Sequence, residues 1–97
     1  MTSEVLAAVY SRAAELAAAR TAWGRFDLAT CLAVACDERG LDVRLAAPAA
    51  AVPIMAFLRS AGGGPMTKEL AVGLFRAVAD WYALQRPEPG PQKPAKP

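Results

Sequence analysis

The chain has 97 residues, a net charge of +2 and 55% apolar side chains, with no histidine and only two cysteines. That length suits one hydrophobic core, and the missing histidine takes away the usual general base and a common zinc ligand. Residues 1 to 85 hold eight basic and eight acidic side chains, and the positive excess lies in Arg86, Lys93 and Lys96 against Glu88, so no basic face built to grip a polyanion is expected.

The first predicted element is an amphipathic helix over 3–20. Thr2 or Ser3 offers a capping oxygen and Glu4 stands in the first turn, where the helix dipole favours an acid. Val5, Leu6, Val9, Tyr10, Ala13, Leu16 and Ala17 then recur at spacings of three and four. Gly24 breaks the pattern, and Trp23 and Phe26 are expected to fold back onto the core. Asp27 is the expected cap of a second helix over 28–39, in which Leu28, Cys31, Leu32, Ala35 and Cys36 share a face and Gly40 closes the last turn.

Residues 41–45, LDVRL, alternate apolar and polar with period two, the pattern of a half-buried strand. A lone short strand has no partner in this chain unless a second copy or the segment around Val52 offers an edge, so an extended connector is the preferred reading. Pro48 and Pro53 then forbid one continuous helix, since an interior proline loses a hydrogen bond and clashes with the preceding turn. Pro53 fits the first turn of a short third helix over 53–61, with Ile54, Phe57 and Leu58 buried and Gly62 to Gly64 ending it.

The fourth helix, 67–86, is the longest and carries a wide apolar face. Leu70, Leu74, Val78 and Trp81 form one stripe, with Val72, Phe75, Ala79 and Tyr82 beside it and Glu69, Arg76 and Asp80 left for solvent. Beyond Arg86 the sequence PEPGPQKPAKP has no large apolar side chain, which predicts a disordered proline-rich tail over 87–97. The expected fold is all-α: a four-helix domain over 1–86 with a short third helix, then the tail.

Several stretches invite a chemical reading. SAGGGPMTKEL, residues 60–70, has the glycines of a phosphate loop but reverses its Lys-Thr order, lacks the glycine before the lysine, and loses an amide to Pro65. A flexible joint followed by a Thr67 cap accounts for every residue. Cys31 and Cys36 project roughly 140° apart on a helix, with no third cysteine to complete a metal set, and read as small core residues. The carboxylates are scattered over polar faces. No catalytic residue, cofactor or metal is expected, and the chain does not read as an enzyme.

The wide apolar face of the last helix has two readings, core or contact surface. Taken as a contact surface, it predicts a protein–protein interaction module that pairs with itself, as a homodimer, or with a larger protein. Its contact residues would be Phe75, Val78, Trp81, Tyr82 and Leu84, with Tyr10 and Leu16 opposite. The alternative is a small DNA-associated regulator with a degenerate helix-turn-helix at 28–47, contacting phosphate through Arg39 and Arg44. Asp42 and Pro48 count against it. A third reading uses the tail's Pro-x-x-Pro spacings, Pro91 to Pro94 and Pro94 to Pro97, as a docking ligand.

The amino terminus lacks the layout of a secretory signal, and the longest uncharged run, between Arg44 and Arg59, is too short and too proline-broken for a membrane span. A cytoplasmic protein with no membrane partner is expected, and the excess of alanine, and of arginine over lysine, fits a GC-rich bacterial or phage coding sequence.

Overall fold

A computed structural model describes residues 2–84. It is all-α, with five helices in chain order: α1 (Ser3–Ala18), α2 (Asp27–Asp37), α3 (Val43–Ala49), α4 (Ala51–Ala61) and α5 (Lys68–Leu84). The tail expected over 87–97 lies outside the described residues.

α1 and α5 form the principal packed pair. Thr2 starts α1 by accepting the Val5 N–H at 3.1 Å, and Thr67 starts α5 by accepting the Leu70 N–H at 3.1 Å. Leu6, Val9, Tyr10, Ala13, Ala14 and Ala17 of α1 enter one buried cluster with Leu74, Phe75, Val78 and Ala79 of α5. The alanines leave room for close backbone approach, and the bulk is concentrated at Tyr10 and Phe75, whose ring centroids lie 6.1 Å apart at 46°.

α2 packs on α1 and adds Cys31, Leu32, Ala35 and Cys36 to the cluster, the two cysteines as separate buried thiols. Its end is a Schellman motif. Leu41 N–H bonds the Cys36 carbonyl at 2.9 Å and Gly40 N–H the Asp37 carbonyl at 3.0 Å, which needs the left-handed Gly40, φ 68°.

Three local expectations are corrected. Residues 41–45 form no strand, and only Leu41 and Asp42 stay outside helix as a connector: the extended Asp42 accepts the Arg44 N–H at 2.9 Å and caps α3 from Val43 onward, so a local cap outweighs the two-residue alternation. This adds the fifth helix. Asp27 does not cap α2 but turns back on the preceding loop, accepting from Gly24 N–H and pairing with Arg20 at 2.6 Å. Trp23 packs onto the core as expected, whereas Phe26 is exposed beneath the Arg25 guanidinium, 5.6 Å from the ring centre.

The loop after α1 is fastened to the one before α5. Trp23 Nε1–H donates to the Met66 carbonyl at 3.2 Å, and Lys68 Nζ to the Arg20 carbonyl at 2.8 Å. The lysine of the glycine-rich stretch is thereby committed to backbone, and Gly62, at φ 81°, ends α4 in the left-handed conformation.

Candidate interaction surface

Among the described helices the α3–α4 pair is the least enclosed apolar part, and Pro53 sets its geometry. Pro53 is the third residue of α4, where a missing N–H costs little, but it leaves the Ala49 carbonyl without the donor a continuous helix would supply. At Ala50 the chain tightens, its N–H turning to Ala47 instead of Ala46, and α3 and α4 meet at a bend of 58°.

Both carbonyls released by this break are recovered by tyrosines. Tyr10 Oη–H of α1 donates to the Ala46 carbonyl at 3.0 Å, and Tyr82 Oη–H of α5 donates to the Ala49 carbonyl. Burial first, and then the neighbouring Cys36 and Tyr82, hold the Tyr10 phenol well above the usual tyrosine range, so it serves here as a neutral donor. Two tyrosines from the main helix pair therefore clamp the proline-broken segment.

The clamp holds one side of the pair only. Within α4, Pro53 is the single buried residue, with Ile54, Phe57 and Leu58 partly covered. Phe57 reaches α5 at Gly73, where a β-carbon would lie 3.3 Å from its ring, so the missing side chain permits the contact. On the other side Val52, Met55, Ala56 and Arg59 all face solvent at one helical stripe's spacing, and Leu45 of α3 is exposed as well. Leu45 is 63% exposed, Val52 66% and Met55 55%.

Of the contact residues expected from sequence, Tyr10, Phe75 and Val78 are buried in the chain's own core and are closed to a partner in this fold, a correction to their placement on a contact face. The broad face of α5 is consumed by packing on α1 and by the Tyr82 clamp. Leu16 and Tyr82 are partly covered, and Trp81 and Leu84 stand out at the carboxyl end of α5. Leu45, Val52 and Met55 were not among the expected contacts. The signal that points to them is the uncharged run between Arg44 and Arg59, whose outward stripe is legible once the α4 boundaries are known.

Arg39 and Arg44 both lie at the surface near the α2–α3 turn. Arg44 grips Asp42 through Nε at 3.1 Å and Nη2 at 2.9 Å, and those bonds hold the Asp42 carboxyl below its ordinary range. That guanidinium already has a carboxylate beside it, which a phosphate would have to displace or share. α3 itself is seven residues long and ends at the proline break, too little helix to fill a major groove. An open groove of about 440 Å³ runs between α2 and α3, with Val34, Leu41 and Val43 in its wall and Asp37 and Asp42 beside them.

Among the described residues no three histidine, cysteine or acidic side chains gather in a metal-binding arrangement. No single described helix is long and apolar enough to cross a membrane. No family model, curated protein sequence or solved structure matches the chain.

Proposed function

We propose that this is a non-catalytic helical interaction module of the cytoplasm that associates with itself, and that its contact surface is the outward side of α3–α4. The observation that carries the reading is the exposure of Leu45, Val52 and Met55 on the most uncharged stretch of the chain. A soluble surface normally scatters such side chains singly. Three large ones on adjoining helices, in a segment held from behind by Tyr10 and Tyr82, have the character of a contact patch.

The test is absolute mass by light scattering across micromolar to millimolar concentrations at moderate salt. A mass rising from monomer toward a multiple of it is the expected result. A monomer throughout that range would defeat self-association as the role of this surface.

A further inference from the structure

We propose that the occupant of the α4 face is a second copy of α4, packed antiparallel about a two-fold axis that passes between Met55 and Ala56. The inference rests on the self-association reading above and specifies its geometry.

The stripe Val52, Met55, Ala56, Arg59 has the i, i+3, i+4, i+7 spacing of a helix–helix seam and is exposed along its length. Its central pair joins a long flexible side chain to a small one. Across a two-fold axis each Met55 falls over the hollow at the other copy's Ala56, which is the large-against-small arrangement that close helix packing requires.

Charge selects both the partner and the direction. No charged residue lies between Arg44 and Arg59, so the face offers no electrostatic complement to a strongly acidic or basic partner, and an equally uncharged surface suits it best. Parallel pairing would set the two Arg59 side chains side by side. Antiparallel pairing separates them by roughly 10 Å along the axis, beyond the Debye length of about 8 Å in physiological salt. The aliphatic stem of each Arg59 then covers Val52 of the other copy.

A lipid surface fits less well. The described residues are charge-balanced, and among the described residues of α3 and α4 Arg44 is already paired with Asp42, which leaves Arg59 to meet anionic headgroups. An eleven-residue helix is about 16 Å long, short of what the roughly 800 Å² per partner of a standard interface demands. The pairing is therefore a concentration-dependent equilibrium and not an obligate dimer.

The experiment compares disulfide formation by Ala56→Cys with that by Ala29→Cys, an exposed site on α2, in the full chain. Cys31 and Cys36 are buried and do not compete. Ala56→Cys should cross-link on the order of tenfold faster or more, because the two-fold axis raises the local thiol concentration. Met55→Glu, at an already exposed position, should keep its helical circular dichroism and scatter as a monomer where the native chain is dimeric.

Equal cross-linking rates, with a native dimer that survives Met55→Glu, would overturn the α4 assignment and leave self-association standing. A native chain that stays monomeric at every concentration would defeat both readings. Monomeric chain that co-sediments with anionic vesicles through Met55 and Val52 would overturn the second copy in favour of lipid.

Discussion

The two ends of this sequence's hydrophobicity are spent very differently. α1 buries six side chains and α5 five, whereas α4, more apolar on average than either, buries one. The difference lies in what each segment is free to pack against. α1 and α5 are long, unbroken and rich in small residues on the shared face, so they close on each other. The segment from Val43 to Ala61 is broken at Ala50, ahead of Pro53, into two short helices that meet at an angle, and it reaches the core through Ala46, Ala50 and two borrowed tyrosine hydroxyls, with Ile54 and Phe57 packed against the edge. An apolar segment broken this way is held in place from behind and left open in front.

Truncation gives the largest contrast. Phe75→Ala removes a buried ring from the α1–α5 seam and should cost about 3–5 kcal/mol in urea unfolding, whereas Met55→Ala in dilute solution should stay within about 0.5 kcal/mol. Equal losses would mean that α4 is as firmly built into the core as α5, and the contrast between the two regions would collapse.

Wedging the regions apart is the next step down. Gly73→Leu places carbon where the Phe57 ring lies 3.3 Å from a built β-carbon, and overpacking of that kind costs about 1–3 kcal/mol. Hydrogen exchange should locate the damage. Amides of α4 are expected to lose protection while those of α1 keep theirs, and a uniform loss across both would show the chain opening as one cooperative unit.

Tyr10→Phe probes the clamp itself. Removing the hydroxyl leaves the Ala46 carbonyl without that donor and should cost about 1–2 kcal/mol. The pH dependence has a definite sign. A phenol whose folded-state pKa is raised binds its proton more tightly when folded, so its stabilising effect is complete below the unfolded value of about 10 and is lost as pH climbs above it. Thermal unfolding of the native chain should therefore soften above that pH, and Tyr10→Phe should soften less. Parallel curves would mean that the hydroxyl is not what couples α1 to α3.

Much of the scaffold was legible because it rests on strong periodic signals. The i, i+3, i+4 recurrence from Val5 to Ala17 and from Leu70 to Tyr82 marks both main helices, and Thr2, Gly40 and Thr67 act where residue chemistry says they should. What failed was local competition. Asp27 had a choice between the amides ahead of it and Gly24 and Arg20 behind it, and only the folded loop decides that. Asp42 overrode an alternating pattern too short to compete with a cap. The exposed apolar surface was the least legible feature, because a wide apolar face looks alike in sequence whether the fold buries it or leaves it open. Phe75 and Val78 were matched by α1, which left the free surface at Leu45, Val52 and Met55.

The smallest expected effect concerns the surface pair that ties α1 to the end of α2. Arg12 bonds both oxygens of Glu38, Nε at 3.0 Å and Nη2 at 3.2 Å, and also reaches Glu15 at 3.1 Å. The hydrogen bonds from Arg12 hold the Glu38 carboxyl below its ordinary value. A carboxylate whose folded-state pKa is depressed contributes stability above its unfolded pKa and loses it as pH falls through the folded one. Both partners are exposed, however, so the gain is screened by solvent and salt. Arg12→Ala should therefore shift the unfolding midpoint only slightly at neutral pH and low salt, and the difference from the native chain should vanish both at high salt and in acid. A large, salt-independent loss would mean that Arg12 supports the α1–α2 contact through packing of its stem and not through charge, and would move that contact from the accessory side of the comparison to the structural side.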